Sequence, residues 1–213
     1  MNFKKFYLIL FVFTLSFTNV NSIEPEIFVE STIKKATSIL SNNSSKESKI
    51  KQLKTVAKET VDINGIGLYT LGPVRKTLGT NQKEKYVKLF EEYFLKSFSS
   101  RLVDYTNPDI SILGKEKLNE NYTIVKSLLS GNSERPEVKI DWRIYTKNPN
   151  NPLIRDLIIE GLSLARTQKE EFASILNSNN GNIEALFKTL EEFSNNYQFL
   201  NIGGPARTRT WDQ

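Results

Sequence analysis

The 213-residue chain contains no cysteine and no histidine. Without cysteine it can form no disulfide, perform no thiol chemistry and carry no lipid anchor on an amino-terminal cysteine. Without histidine it lacks the commonest general base and the commonest metal ligand at neutral pH. A serine triad of the usual kind and a zinc site built on histidine or cysteine are therefore both excluded. These absences argue against an enzyme and against a metalloprotein.

Motifs that supply chemistry without these residues are missing or incomplete. Gly65 and Gly67 lack the third glycine and the preceding strand of a dinucleotide-binding fingerprint, and neither a Walker loop nor an Asp-x-Asp-x-Asp-Gly calcium loop occurs. Asp156 and Glu160 would lie roughly 13 Å apart along a strand, whereas the carboxylates of glycoside hydrolases are separated by about 5 to 10 Å. We interpret these two carboxylates as structural and predict no catalytic residue, no metal site and no cofactor.

Charge is modest and well mixed. The formal net charge is +5, and the signs alternate in segments such as Lys83-Glu84-Lys85 and Lys115-Glu116-Lys117. Alternating signs are typical of a solvated surface, whereas a nucleic-acid partner requires clustered Lys and Arg. We predict no nucleic-acid partner, and a weak attraction to anionic lipid headgroups stays open.

The longest apolar run lies at the amino terminus. It follows Lys4 and Lys5, covers residues 6–17, and gives way to polar and small residues up to Ser22. A basic start, a short apolar core and a small residue at the end describe a secretory signal peptide, and the run is shorter than the roughly 20 residues that span a bilayer. We predict that residues 1–22 are a cleaved signal peptide and that the protein is exported to the periplasm, with an uncleaved anchor as the alternative.

The remaining chain has the length of one domain, predicted over residues 23–197 and followed by an unstructured tail at 198–213. Helical periodicity begins at Pro25, a capping box at Ser44 and Glu47 opens a second helix, and one long helix runs from Thr80 to about Thr106. Strand periodicity then covers residues 110–118, 122–129, 136–147 and 153–164, and helical periodicity returns from residues 166 and 183. This order predicts an α+β fold with an antiparallel meander.

Large apolar side chains concentrate on the long helix and on the strands. Such residues can fill a core or line a ligand pocket, because both surfaces use the same residue types. Two acyl chains of about 16 carbons would contribute more than about 20 kcal/mol of transfer free energy on burial, so a lipid carrier needs few polar contacts. The residues that we predict to line an apolar pocket are Phe90, Phe94, Phe98, Leu102, Ile140, Trp142, Ile144, Leu157 and Ile159.

Several segments resemble the MlaC, or toluene-tolerance, family. Residues Asp156 to Ser163 resemble the family's D-x-x-I-E-G-x-S strand end, and residues 168–176 and 181–190 are similar to its last two helices. Upstream, Gly72 to Gly79 followed by Gln82, Phe90, Phe94 and Tyr105 resembles the helix region of the family. The resemblance spans about residues 25–193. Two departures are residues 151–155, where the family often has W-x-x-Y/F-D, and residues 73–75, where an aromatic residue is frequent.

The resemblance implies an NTF2-like fold with helices packed on a curved antiparallel sheet and an apolar cavity between them. It implies a soluble periplasmic carrier without enzymatic activity, which moves glycerophospholipid between an outer-membrane lipoprotein complex and an inner-membrane ABC transporter. We expect such a carrier to be a monomer. Two alternatives stay open: an exported binding module for another hydrophobic ligand, such as a fatty acid or an isoprenoid, and an interaction protein with a filled core.

Overall fold

The computed structural model describes residues 22–105, 107–133 and 135–195. The predicted tail and all but Ser22 of the predicted signal peptide lie outside these residues. The first half of the chain is helical and the second half contains the sheet and two further helices. The elements are α1 (Pro25–Ser41), α2 (Lys46–Thr60), α3 (Ile63–Thr70), a 3-10 helix (Gly72–Lys76), α4 (Thr80–Leu102), β1 (Ile110–Asn119), β2 (Tyr122–Leu129), β3 (Val138–Tyr145), β4 (Leu153–Ile159), β5 (Leu162–Ser163), α5 (Leu164–Ser178) and α6 (Ile183–Asn195).

The helix boundaries follow from local capping and turn chemistry. The cap of α2 is Ser45, whose Oγ accepts a hydrogen bond from the backbone N–H of Ser48 at 3.2 Å, so the predicted cap at Ser44 was wrong by one residue. The carboxylate of Asp62 caps α3 in the same way. Helix α4 ends at Leu102, earlier than predicted. Asn107, with a φ of 48°, and the proline after it lie beyond this end in the connection to β1.

The sheet is an antiparallel meander in the order β1-β2-β3-β4-β5, which confirms the predicted α+β fold. Partners across the strands share a face, so the register places Val125, Trp142 and Leu157 on one face of the sheet. The opposite face carries Lys126 and Asp141, which are also partners. Two register shifts between β1 and β2 and one between β3 and β4 interrupt the regular pairing.

The predicted strand at residues 153–164 is two strands, not one. Glu160 and Gly161 have φ values of 48° and 82° and form a two-residue turn between β4 and β5. The backbone of Glu160 donates to the carbonyl of Lys139 at 3.0 Å, and its side chain accepts from the backbone N–H of the same residue. Glu160 therefore extends the pairing with β3 at the strand end, which confirms its interpretation as a structural residue.

Asp156 fixes the start of α5. Its carboxylate is 3% exposed and accepts hydrogen bonds from the Ser163 hydroxyl at 2.6 Å and from the backbone N–H of Ala165 at 3.0 Å. Arg143 lies 3.2 Å away as a salt-bridge partner. Ser163 in turn caps α5 by accepting from the backbone N–H of Arg166. The D-x-x-I-E-G-x-S segment is thus a strand, a tight turn and a helix cap held together by one buried carboxylate.

Replacing Asp156 with alanine should lower the free energy of unfolding by about 3 kcal/mol, because it leaves the Arg143 charge and two buried donors without their partner. Asp141→Ala is the matched control, since it removes a carboxylate from β3 without touching the α5 cap, and it should cost less than about 1 kcal/mol. Urea denaturation of both variants measures the difference. Equal losses in the two variants would contradict the assigned role of Asp156.

Helix α4 is held mainly by other helices. Its Tyr86 hydroxyl lies 2.7 Å from that of Thr70 in α3, and Glu91 pairs with Lys58 of α2 at 2.7 Å. Its Lys96 donates to the last carbonyls of α6, including that of Phe193 at 2.9 Å. Helix α1 lies against β1 and β2, and α3 and α5 lie against β4, whereas the backbone of α4 approaches no strand as closely in the described part of the chain. The space between α4 and the sheet is therefore spanned by side chains.

None of the helices in the described ranges is both long and apolar enough to cross a bilayer.

Candidate functional site

The helical side of the candidate site is one stripe of α4. Phe90, Phe94, Phe98 and Leu102 recur at every fourth residue, so they lie on the same helix face. The ring centroids of Phe90 and Phe94 are 6.1 Å apart, and those of Phe94 and Phe98 are 5.7 Å apart with nearly parallel planes. Burial decreases along the stripe: Phe90 is 2% exposed in the core, Phe94 and Phe98 are half-buried against the core, and Leu102 is half-buried outside it.

The sheet side shows the same gradient. Ile144 is completely buried in the core, Trp142 is half-buried against it, and Ile140 is half-buried outside it. The register pairs Trp142 with Leu157 and Ile140 with Ile159. Leu157 is half-buried against the core and Ile159 is half-buried outside it. Six of the nine predicted pocket residues thus belong to one apolar core or pack against it, and Leu102, Ile140 and Ile159 are half-buried outside it. We call the region between the α4 stripe and this face of the sheet the interface.

Both gradients point to the same end of the interface. The short connection at residues 103–109 leads from the end of α4 to the start of β1. Tyr105 in this connection lies under the guanidinium of Arg135 in the β2–β3 loop, 5.7 Å from its ring centroid, and the Asp109 carboxylate accepts from the Ser130 hydroxyl at 2.8 Å. The end of α4 therefore meets the strand ends, where Ile110, Leu129 and Val138 are partners and all half-buried. We call this partly exposed end, formed by Leu102, Ile110, Leu129, Val138, Ile140 and Ile159, the apolar mouth.

Trp142 is held in place by a serine that the sequence analysis missed. Ser127 on β2 is 1% exposed, and its hydroxyl accepts from the Trp142 indole N–H at 2.8 Å while donating to the Ile140 carbonyl at 2.9 Å. The buried hydroxyl is thus satisfied, and the indole has one orientation. The alternation of Val125, Ser127 and Leu129 along β2 could have placed Ser127 on this face. Ile110 and Ile112 of β1, which pack against the core from the same sheet, were also missed.

A chain of polar groups links α4 to α5 beside the stripe. The Tyr93 hydroxyl donates to the amide oxygen of Gln168 at 2.9 Å, and the Gln168 amide donates to Glu171 at 2.9 Å. Burial raises the pKa of Tyr93 to about 12, and burial likewise raises the pKa of Glu171, which Arg101 opposes. Within the described ranges, no group of three or more acidic side chains could hold a metal ion. The half-buried apolar side chains of this arrangement can bind apolar groups.

Two surface cavities lie away from this interface. One has a volume of about 340 Å³ and is lined by residues including Tyr69, Tyr122, Arg143 and Arg155, and the other has about 290 Å³. None of the nine predicted residues lines either cavity. That the nine residues line one cavity therefore stays a prediction.

The comparison with protein families settles the affiliation of the chain. The sequence model described as MlaC protein matches residues 30–192, which is most of the chain. The chain belongs to the MlaC family. A relative from Haemophilus influenzae, the intermembrane phospholipid transport system binding protein MlaC, is 24% identical over 180 residues, which cover 79% of this chain and 82% of the relative. The family resemblance proposed from the D-x-x-I-E-G-x-S segment is therefore confirmed.

The MlaC fold is also seen in a solved structure. The phospholipid-binding protein from Ralstonia solanacearum, in complex with a phospholipid, superposes with a TM-score of 0.68 at 17% identity, covering 81% of this chain and 97% of that one. At this identity the match establishes the fold alone. It agrees with the arrangement of helices and meander sheet described above.

Proposed function

We propose that this protein is a periplasmic carrier of glycerophospholipid that binds acyl chains between α4 and the sheet. The observation that carries the proposal is the graded apolar interface, buried at Phe90 and Ile144 and partly exposed at the mouth, in a chain of the MlaC family. The names of the Haemophilus relative and of the phospholipid-bound Ralstonia protein support this choice of ligand.

In this proposal the acyl chains of the lipid lie in the interface. Acyl chains would enter at the mouth and lie along the half-buried side chains of Phe94, Phe98, Trp142 and Leu157. Because the backbone of α4 is held by α2, α3 and α6 more than by the strands, α4 can separate from the sheet with little loss of backbone contact. The core residues Phe90 and Ile144 would limit how deeply the acyl chains enter. Each buried methylene contributes about 0.8 kcal/mol, so this surface can hold a lipid without catalytic groups, and we propose that the protein is not an enzyme.

The wider transport role is part of the same proposal. Cleavage after Ser22 would release the carrier into the periplasm. The chain has no phosphate-binding loop, so any energy from ATP must come from a partner. We propose that this monomeric carrier exchanges its lipid with an inner-membrane ABC transporter complex and an outer-membrane lipoprotein complex.

Bromine on an acyl chain should quench the fluorescence of Trp142. The chain has two tryptophans, Trp142 and Trp211, so Trp211→Phe leaves Trp142 as the only reporter. Titrating this variant with vesicles of a phosphatidylcholine brominated in the middle of its acyl chains should remove most of the emission, because heavy-atom quenching requires contact. Unbrominated vesicles should shift the emission to shorter wavelength without quenching it.

Trp142→Phe, which keeps Trp211, is the matched control and should be little quenched. Equal quenching in the two variants would mean that the bromine reaches the tail rather than the interface, and the assigned site would be wrong. Quenching of Trp142 by a brominated fatty acid but not by the brominated phospholipid would favour the alternative of a module for another hydrophobic ligand.

A further inference from the structure

Ten lysine and arginine side chains in the described ranges form a salt bridge with a carboxylate. Lys58 lies 2.7 Å from Glu91, Lys115 lies 2.6 Å from Glu24, and Lys126 lies 2.9 Å from Glu116. Even the arginines that line the larger cavity, Arg143 and Arg155, are each paired with an aspartate. Where positive side chains line a cavity beside an aspartate, as Arg143 and Arg155 do, their charge is thus compensated.

The smaller cavity differs from the larger one in this respect. It has a volume of about 290 Å³ and lies between α3, the 3-10 helix and α5. Three of its six lining residues are cations and none is acidic. In the part of the chain that the structure describes, no salt bridge involves these three cations. The lining residues are Tyr69, Gly72, Pro73, Arg75, Lys76 and Lys169.

The cavity is shaped by local backbone and side-chain packing. Gly72 has a φ of 57°, so the chain turns sharply between α3 and the 3-10 helix that carries Arg75 and Lys76. The side chain of Lys169 passes over this turn, since a Cβ atom at position 72 would lie 3.2 Å from its Cε. The Lys169 ammonium lies 5.1 Å from the ring centroid of Tyr69. The three cations therefore surround one concave surface from two sides.

This chemistry fits a phosphate group at a lipid surface. Arginine and lysine are the preferred side chains for binding phosphate oxygens, and uncompensated cations attract an anionic membrane. Tyr69 is 40% exposed and Pro73 is exposed at the rim, and tyrosine is a residue type that is enriched at membrane interfaces. We infer that the cavity binds the phosphate groups of anionic lipids in a bilayer and that the protein docks on the membrane surface through it. This site is separate from the nine residues of the proposed carrier site.

The test uses the whole mature chain and flotation with vesicles. Wild type should float with vesicles of about 30% phosphatidylglycerol in phosphatidylcholine, should not float with pure phosphatidylcholine, and should lose binding as salt shortens the range of electrostatic attraction. The variant R75Q/K76Q/K169Q should bind about 100-fold more weakly, since each cation near an anionic surface contributes about fivefold. The matched control K88Q/K117Q/K147Q removes the same charge from exposed positions elsewhere and should change binding less than threefold (roughly).

Several results would overturn the inference. If the wild type does not float with anionic vesicles, the inference is wrong, and an acidic protein becomes the candidate ligand of the cavity. Equal weakening in both triple variants would mean that net charge, not the cavity, drives binding. Saturable binding of inorganic phosphate, seen as shifts of Tyr69 ring signals in wild type only, would identify a soluble ligand if flotation fails. If the triple variant unfolds, the single variants Arg75→Gln and Lys169→Gln should each bind about fivefold more weakly.

Bound lipid, measured by mass spectrometry on the same samples, separates this inference from the proposed function. A protein that contains lipid but does not float would leave the carrier proposal standing and remove the docking site. A protein that floats but contains no lipid would leave the docking site standing and contradict the carrier proposal.

Discussion

Ile159→Trp and Leu102→Trp should each purify with little or no phospholipid and yet remain folded. Both residues lie in the apolar mouth and are half-buried outside the core, so a larger side chain can occupy the route of the acyl chains without entering the packed interior. Overpacking a well-packed core costs about 1 to 3 kcal/mol of stability. At these partly exposed positions we expect a cost of about 1 kcal/mol or less. Extraction and quantification of lipid per mole of protein, beside urea denaturation, measures both effects.

Leu113→Trp is the matched control for these two variants. Leu113 is 62% exposed on β1, so the same enlargement occurs on a strand but outside the interface, and lipid content should stay at the wild-type level. Loss of lipid in all three variants would indicate a general effect of added tryptophan. Full lipid content in both mouth variants would contradict the assigned entrance.

Truncation of two phenylalanines of the α4 stripe should affect different properties, stability in one case and lipid affinity in the other. Phe90→Ala should lower the free energy of unfolding by about 4 kcal/mol, because Phe90 is 2% exposed and contacts Phe172 and Tyr86 in the core. Phe98→Ala should cost only about 1 kcal/mol, because Phe98 is half-buried. Lipid affinity should instead fall most in Phe98→Ala.

The pair separates a pocket from a filled core. Urea denaturation gives the stability of each variant, and quenching of Trp142 by brominated lipid gives its affinity at a temperature where both are folded. If Phe98→Ala proves as destabilising as Phe90→Ala and lipid binding is unchanged, the whole stripe is core and the interaction-protein alternative gains support.

Elements with strong periodicity and clear boundaries could be predicted well from the sequence. The strand at residues 122–129 matches β2 residue for residue, because polar turn residues flank it on both sides. The strand at 153–164 was predicted too long, because apolar residues lie on both sides of Glu160 and Gly161 and hide the turn. These two residues adopt positive φ values. The spacing of apolar residues does not reveal a single tight turn of this kind.

The burial of each predicted pocket residue could not be predicted from the sequence. Residues at four-residue spacing on α4 share a face whatever their burial, so the pattern could not distinguish Phe90 in the core from Leu102 at the mouth. Burial depends on which elements pack around each turn of the helix, and this is a tertiary property. Ser127 was missed for a related reason, because a serine in a strand acquires its role only when the register places it beside Trp142.

The charge pattern along the chain does not show where cations meet in space. Alternating signs predicted a solvated surface, and some cations in the described ranges do pair with carboxylates. Arg75 and Lys76 are distant in sequence from Lys169, so their meeting at one cavity follows from the packing of α3, the 3-10 helix and α5. The basic cavity could not be anticipated from linear sequence.

Native mass spectrometry of the mature protein, purified from a bacterial host and followed by organic extraction, tests the central claim most directly. We predict a bound mass that matches a diacyl glycerophospholipid, with one lipid released per chain and none from the Ile159→Trp variant. A mass equal to that of the bare chain, unchanged after incubation with phospholipid vesicles, would contradict the account and would mean that the interface between α4 and the sheet is a filled core.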